Sequence, residues 1–157
     1  MTALIEKLRA IPLLDNIETD RLTEIAAICS ERQLVPGETL TAEGTADYNL
    51  YVVSNGSVEV AINSRPGSSE PPLCKEFMVG EGQYELIGEV NWLKRQYRTA
   101  TVKCIDAVDI IQIEGVALWE LLAANPEVGM RILYNIALIL ADRLKDADLT
   151  LRQFSFG

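Results

Sequence analysis

The run LYVVSNGSVEVAI, from Leu50 to Ile62, decides the fold class of this chain of 157 residues. It holds two short segments rich in β-branched residues, with Asn55-Gly56 between them. An Asn-Gly pair between two such segments is typical of a tight β-hairpin turn, because both residues tolerate the positive φ that this turn requires. The run therefore predicts two antiparallel strands joined at Asn55-Gly56.

The same pattern continues on both sides of this run. From about Gln33 to Ile113, short apolar runs alternate with turn residues, most of them glycines. Further strands are predicted at 99–105 and 109–113, and the Ser-, Pro- and Gly-rich segment 63–72 is typical of an exposed hairpin loop. Strands of this length and spacing indicate an antiparallel sandwich or barrel.

Helical periodicity frames the β region. A helix capped at Thr19 or Asp20 is predicted to run through Cys29, and two more are predicted at 116–124 and 127–151. No internal repeat and no linker is visible. We expect one domain over 1–157, with a helical lead-in (about 1–32), a β-barrel (about 33–113) and C-terminal helices (about 116–152).

The long C-terminal helix carries two apolar faces. A seam with alternating steps of three and four has the spacing of a coiled coil, at Met130, Leu133, Ala137, Leu140, Leu144, Ala147 and Leu151. A second face holds Val128, Ile132, Ile136 and Ile139. The spacing predicts that one face covers the barrel and the other joins a second copy in a parallel homodimer. The alternative is one wide stripe that faces the core.

Composition excludes several classes of protein. The formal net charge of −9 disfavours a broad nucleic-acid surface, which needs lysines and arginines to neutralise phosphates. The longest apolar run, Ile136 to Ala141, is far shorter than the roughly 20 residues that span a bilayer. Glu6 and Lys7 interrupt any signal-peptide core. These features predict a cytoplasmic protein without membrane contact.

The cysteine and histidine content narrows the chemistry. Three widely separated cysteines (Cys29, Cys74 and Cys104) disfavour a disulfide framework or a zinc site. The absence of histidine removes Ser-His-Asp catalysis and haem ligation by His. Carboxylates are plentiful, but none is paired with a nucleophile in a recognisable motif. We expect no enzyme activity, no metal and no cofactor.

One stretch, GEVNWLKRQYRTATV over 88–102, places a carboxylate after a glycine and an arginine beside a hydroxyl. A guanidinium fork suits the oxygens of a phosphodiester, and Glu89 beside that anion would be repulsive unless it faced a sugar hydroxyl. Gly88 lets backbone and ligand approach closely, and amides at the start of the turn Val90–Lys94 would face the anion. Alternatively, Glu89 and Arg98 form an ion pair that closes a loop.

In its framework, the chain resembles the cyclic-nucleotide-binding domain of bacterial catabolite activators, kinase regulatory subunits and cyclic-nucleotide-gated channels. The resemblance runs from about Ile11 to Leu151 and implies a double-stranded β-helix, a jelly-roll-like barrel that is mostly β with flanking α-helices. It is carried by Pro36-Gly37-Glu38, Glu43-Gly44, Leu50 to Val53, Gly56 to Val60, Asn125-Pro126 and Leu140 to Leu144.

In this family, a phosphate-binding cassette begins Gly-Glu and ends Arg-Ser/Thr/Ala-Ala. The chain matches it at Gly88, Glu89, Arg98, Thr99 and Ala100. The resemblance implies that Glu89 accepts a hydrogen bond from the ribose 2′-hydroxyl, Arg98 pairs with the cyclic phosphate and Thr99 adds a hydroxyl contact. Backbone amides at 88, 89 and Val90 would complete the cradle.

The chain departs from the family pattern at several positions. Gln83 stands where aspartate is usual, and four residues (84–87) precede Gly88 where two are usual. Tyr97 replaces the proline before the arginine, and Asn91 stands where a small apolar residue is common. None of these changes removes a group expected to contact the ligand.

The base end of the site is less defined. Catabolite activators touch adenine with a threonine–serine pair on the long helix, where this chain has Ala147 and Asp148. Arg143 is a candidate ligand contact; a solvated charge or a contact across a dimer is the alternative. The ligand is therefore expected to be cyclic AMP or cyclic GMP; the residues of the base end do not decide between them, and only general bacterial habit favours cyclic AMP.

Catabolite-activator relatives continue past the long helix into a helix-turn-helix domain, whereas this sequence ends at Gly157. The expected function is a stand-alone cyclic-nucleotide sensor that signals through a protein partner and does not bind DNA. The alternative is a family member without ligand binding that serves as a dimerisation or docking module.

Overall fold

A computed structural model describes the backbone of residues 2–63 and 67–156, and the side chains of these residues up to 149. The chain divides into a β unit, Ile28–Trp119, and a helical unit, Met1–Ala27 with Glu120–Gly157. The helices are α1 (Thr2–Arg9), α2 (Thr19–Ala26), α3 (Glu89–Lys94), α4 (Gly115–Ala124) and α5 (Pro126–Phe156), with a 3-10 turn at Pro12–Leu14. No helix in the described part of the chain is long and apolar enough to cross a membrane.

The β unit is one curled antiparallel sheet. Its strands are β1 (Cys29–Leu34), β2 (Thr39–Thr41), β3 (Leu50–Ile62), β4 (Leu73–Val79), β5 (Glu85–Ile87), β6 (Thr101–Cys104) and β7 (Val108–Ile113). The main strand order is β1-β7-β3-β6-β2, and β4 and β5 also pair with β3. This half-barrel confirms the predicted jelly-roll-like fold, with helices before it and a long helix after it in the chain.

Strand β3 is the centre of the sheet, and it corrects the predicted hairpin. Its first half pairs with β5 and β7, and its second half, from Gly56, pairs with β4 and β6. The chain therefore continues through Asn55-Gly56 as one strand and does not turn back there. Pairing with four strands outweighs the local turn preference, and a register shift between Val53 and Asn55 marks the bend.

The inner face of the β unit is a continuous apolar core. Side chains from β1, β2, β3, β4, β6 and β7 meet there, at Leu34, Leu40, Tyr51, Val53, Val58, Val79, Val102, Cys104, Val108 and Ile110. Val58 and Val60, alternate residues in the second half of β3, pack against this core, as expected from the two-residue period of a strand.

The end of one predicted helix is wrong, and one strand was missed. Helix α2 ends at Ala26, and Cys29 already begins β1, so the helix does not run through Cys29. Residues 30–33 of β1 are polar and exposed, so this strand lacks the apolar alternation by which strands are recognised. Strand β4 was not predicted, because all of its residues except Phe77 and Val79 are exposed and its sequence lacks a clear apolar alternation. The loop 63–72 does join β3 and β4, although 64–66 lie outside the described residues.

The predicted helices 116–124 and 127–151 are confirmed as α4, which begins in the β unit, and α5, which belongs to the helical unit. The amide of Asn135, buried on α5, donates to the carbonyl oxygens of Leu13 and Asp15, both at 2.9 Å. These bonds join α5 to the chain around the 3-10 turn, because a buried amide needs polar partners.

The two predicted faces of α5 differ in exposure. Ile132 and Ile136 are buried, whereas Met130 and Leu144 of the seam are 69% and 73% exposed. Leu151, the last seam position, has a side chain outside the described residues. The contrast argues against one wide stripe that faces the core.

Gly56 allows us to test the account of β3. Its φ is +112°, and a Cβ there would lie 2.6 Å from the carbonyl oxygen of Ala107. We expect Gly56→Ala to lower the free energy of unfolding by about 2–4 kcal/mol, as measured by urea denaturation. The control Gly37→Ala, with φ +84° and no atom within 4 Å of its Cβ, should cost about 1 kcal/mol. Equal losses would contradict backbone crowding at Gly56.

Candidate functional site

The segment from Gly88 to Arg98 leaves β5, forms the short helix α3 and returns to the start of β6. Gly88 precedes the helix with φ +95°. A Cβ there would overlap Nη1 of Arg98 and would lie 2.8 Å from the carbonyl oxygen of Asn49. The backbone at 88 and the guanidinium of Arg98 are therefore in direct contact, and only glycine fits both the space and the dihedral angle.

Arg98 is the central charge of the site. Its side chain is only 2% exposed, and its Nη2 atom lies 3.3 Å from Oδ1 of Asp47. Nη2 also donates to the carbonyl oxygen of Asn49, and Nη1 lies 3.5 Å from Oδ1 of Asn91. The guanidinium stands over the ring of Tyr51, 5.5 Å from its centroid. A buried guanidinium needs such partners, because removing its charge from water is costly.

One donor of this guanidinium stays unsatisfied. Among the buried side-chain atoms that the structure describes, Nε of Arg98 has no hydrogen-bond partner. Buried donors without an acceptor are rare in proteins, and a group that binds there is one explanation for such a donor. The remaining Nε–H suits an acceptor with negative charge.

Asp47 is held in place by three donors. Besides Arg98, it accepts hydrogen bonds from the Tyr51 hydroxyl at 2.7 Å and from the Asn49 backbone N–H at 3.0 Å. Burial raises the pKa of Tyr51 from 10.0 to about 12, and the bond to Asp47 and the charge of its carboxylate add to the shift. The phenol therefore remains a donor at neutral pH. Its contribution to stability is complete below about pH 10 and is lost as the pH rises through about 12.

The backbone of Arg98 is fixed by the loop that precedes Asp47. The Arg98 N–H donates to the Thr45 carbonyl at 2.9 Å, and the Gly44 N–H donates to the Arg98 carbonyl at 2.8 Å. The Glu43 N–H donates to Oγ1 of Thr101 at 3.0 Å. These hydrogen bonds therefore join the loop to the start of β6.

Helix α3 is joined to the start of α4 within the β unit. The Trp92 indole donates to the Gly115 carbonyl at 2.8 Å, and the Gly115 N–H donates to Oδ1 of Asn49 at 3.1 Å. The ring of Trp92 also meets that of Trp119 edge to face, with centroids 5.7 Å apart. A displacement of α3 would therefore alter the contacts of the first turns of α4.

The predicted site residues differ in their surroundings. Glu89 is buried in the first turn of α3, whereas Val90 beside it is 42% exposed. Thr99 is exposed and Ala100 is half-buried, both in the bend that follows Arg98. The structure brings Gly88 and Arg98 into contact, and Glu89 follows Gly88 directly.

Arg143 belongs to a different unit of the chain from the other predicted site residues. It lies on α5, in the helical unit, and is half-buried. Its contact with a ligand stays a prediction.

Asp47, Asn49 and Tyr51 are neighbours of Arg98 that the sequence did not predict. One alternative was an ion pair of Arg98 with Glu89, and the structure gives Arg98 a partner in Asp47. The only local signal was Asp47-Tyr-Asn49 just before an apolar strand, which is typical of a side chain that bonds the backbone two residues on. Nothing in that signal indicates Arg98.

Similarity to known proteins agrees with this geometry. The family model described as cyclic nucleotide-binding domain matches residues 31–125, which are 95 of the 157 residues. The chain is 27% identical over 150 residues to the Cyclic AMP receptor protein of Thermus thermophilus, covering 95% of this chain and 64% of the receptor. The chain thus spans 64% of the length of this receptor, and it spans 35% of the length of another curated relative that it matches.

Solved structures include similar folds. The N-terminal domain of a transcriptional regulator from Streptomyces coelicolor A3(2) is 32% identical, with a TM-score of 0.65, over 87% of this chain and 93% of that one. A cyclic nucleotide-binding domain from Methylobacillus flagellatus KT has a TM-score of 0.75 at 21% identity, over 95% of this chain and 81% of that one. At that identity the second likeness shows the fold alone.

The network around Arg98 predicts a specific stability effect. We expect Asp47→Asn to lower the free energy of unfolding by about 1–3 kcal/mol, because the buried guanidinium loses its charged partner. The control Glu24→Gln removes the Arg21–Glu24 pair, whose N···O distance is 3.0 Å but whose side chains are exposed. It should cost no more than about 0.5 kcal/mol. If thermal or urea unfolding gave both variants the same loss, Asp47 would not be the counter-ion of a buried charge.

Proposed function

The chain belongs to the cyclic-nucleotide-binding domain family, and from this premise we propose that it binds a cyclic nucleotide, cyclic AMP or cyclic GMP, and regulates a protein partner. The observation that carries the proposal is the buried guanidinium of Arg98 with its Nε–H unsatisfied. A cyclic phosphodiester carries one negative charge and offers oxygens that suit this donor.

The other residues of the cassette have roles consistent with their surroundings. Glu89, buried on the first turn of α3, would accept a hydrogen bond from the ribose 2′-hydroxyl. Thr99 is exposed beside Arg98, where its hydroxyl could bond the phosphate. Gly88, Val90 and Ala100 would contribute backbone to the cradle. Arg143 is retained as a candidate contact for the base end.

The ligand must compete with the chain's own acid. Asp47 lies 3.3 Å from Nη2 of Arg98, so the guanidinium is already neutralised in this structure. A phosphate that bonds Nε can share the guanidinium with Asp47, because the fork carries five N–H donors.

The alternative function rests on the same pairing of Arg98 with Asp47. A chain whose arginine needs no ligand could serve only as a dimerisation or docking module.

Titration calorimetry with cyclic AMP and cyclic GMP separates the two functions. We expect the wild type to bind at least one of them and Arg98→Ala to bind it about 100-fold more weakly or not at all, since charge-assisted hydrogen bonds contribute about 1.5–3 kcal/mol each. The control Arg32→Gln removes an exposed arginine of β1 with the same loss of charge, and it should bind like the wild type.

No heat from the wild type with either nucleotide at millimolar concentration would contradict binding and favour the docking module. Circular dichroism of Arg98→Ala would establish that its loss of binding is not a loss of fold. If the wild type and the folded Arg98→Ala variant bound the nucleotide with equal affinity, Arg98 would not be a ligand-binding residue.

Signalling to a partner requires that the partner prefer one state of the chain. The contact of Trp92 with Gly115 supports a route, because a ligand that reorders α3 would act on the start of α4. We place this function in the cytoplasm, since the three cysteines are free thiols, as is usual in reducing compartments.

We propose that the chain forms a homodimer through the seam of α5. Its exposed apolar residues have coiled-coil spacing, and Leu144 is 73% exposed. Sedimentation of the wild type should give a dimer and Leu144→Glu a monomer, because the glutamate would place a charge in the apolar seam. The control Val116→Glu changes a 61% exposed residue of α4 and should leave the dimer intact. An unchanged mass for Leu144→Glu would discard the seam.

A further inference from the structure

Asn91 is a buried residue of α3 whose side chain makes hydrogen bonds beyond the helix itself. It is 6% exposed, in the middle of α3. Its carbonyl oxygen accepts from the N–H groups of Arg95 and Gln96, which end the helix. Its side chain extends to the two residues that follow, Tyr97 and Arg98. One residue thus spans the whole return from α3 to the arginine.

The first side-chain contact fixes a peptide plane. Nδ2 of Asn91 donates to the Tyr97 carbonyl at 2.6 Å, and the N–H of the same peptide, that of Arg98, donates to the Thr45 carbonyl at 2.9 Å. Both polar groups of the 97–98 peptide are therefore held. Tyr97 has a free φ, unlike a proline, so the direction in which Arg98 leaves the backbone depends on such bonds.

The second contact reaches the charged end of the arginine. Oδ1 of Asn91 lies 3.5 Å from Nη1 of Arg98, close enough to accept a long hydrogen bond. The partners set the orientation of the side-chain amide. If the amide were flipped, its NH2 group would face the N–H groups of Arg98, and its oxygen would face the carbonyl oxygen of Tyr97, so neither hydrogen bond could form. Asn91 therefore touches the arginine at its backbone and at its guanidinium, and it leaves Nε unsatisfied.

We propose that Asn91 is a positioning residue that holds Arg98 in the orientation in which its guanidinium faces a bound anion. The positioning role of Asn91 depends on the proposed function only for the identity of the bound anion. Asn91 itself makes no contact with the ligand in this account. It contributes by pre-ordering the arginine, so that less side-chain entropy is lost when the anion binds.

The first test needs no ligand. Nitrogen-15 relaxation of the Arg98 Nε–H group reports the mobility of the guanidinium. We expect an order parameter in the rigid range, about 0.85, in the wild type and one below about 0.6 in Asn91→Leu, which keeps the branched shape but loses both bonds. Asn91→Ala, which cannot overfill the site, should give the same result if the leucine variant fails to fold. Gln96→Ala, on the exposed part of the same return, is the control and should leave Arg98 rigid.

The second test couples Asn91 to Arg98 through affinity for cyclic AMP or cyclic GMP. Asn91→Ala should weaken binding about 10-fold when residue 98 is arginine. In an Arg98→Lys background, the same change should weaken binding less than about 2-fold, because lysine has no guanidinium to orient. A residue that merely stabilised α3 would lower affinity equally in both backgrounds.

The outcomes separate the two proposals. Arg98 that stays rigid in both Asn91 variants overturns the positioning role, as does an equal loss of affinity in the arginine and lysine backgrounds. If the wild type binds no cyclic nucleotide but Arg98 loosens in the variants, the proposed function fails and the positioning of Arg98 by Asn91 is supported.

Discussion

A buried guanidinium has to be neutralised and hydrogen-bonded, and residues from several parts of the β unit meet this requirement at Arg98. Asp47 supplies the charge, the Asn49 carbonyl accepts a hydrogen bond, and the ring of Tyr51 covers one side. Gly88 supplies the space, since any side chain there would overlap the arginine. These residues come from separate parts of the chain, so the charge is correctly housed only in the folded sheet.

Strand β3 makes that arrangement possible because it belongs to both halves of the curled sheet. Its first residues follow the loop that carries Asp47, and they pair with β5, which leads to Gly88. Its second half pairs with β6, which follows Arg98. One bent strand thus brings the acid, the glycine and the arginine together. The register shift between Val53 and Asn55 lies where β3 passes from its first set of partners to its second.

The sequence predicted the class of fold because glycine-punctuated alternation is a local property. It grouped Gly88, Glu89 and Arg98 in one site because they share one short segment, but the contact of Gly88 with Arg98 itself came from the structure. It placed a turn at Asn55-Gly56, where pairing with four strands outweighs local preference. It did not find Asp47 beside Arg98, since that contact depends on the register of distant strands. Asn91 was visible only as a departure from a pattern, and its two bonds required coordinates.

The central claim is that Arg98 binds the phosphate of a cyclic nucleotide through the donor that the protein leaves unsatisfied. The most direct measurement is the proton–nitrogen correlation of the Arg98 Nε–H group during titration with cyclic AMP or cyclic GMP. The account predicts that this proton shifts strongly downfield on saturation, as it gains a charged acceptor, and does not shift with adenosine or guanosine, which lack phosphate. An Nε–H resonance unmoved by both cyclic nucleotides at saturating concentration would contradict it.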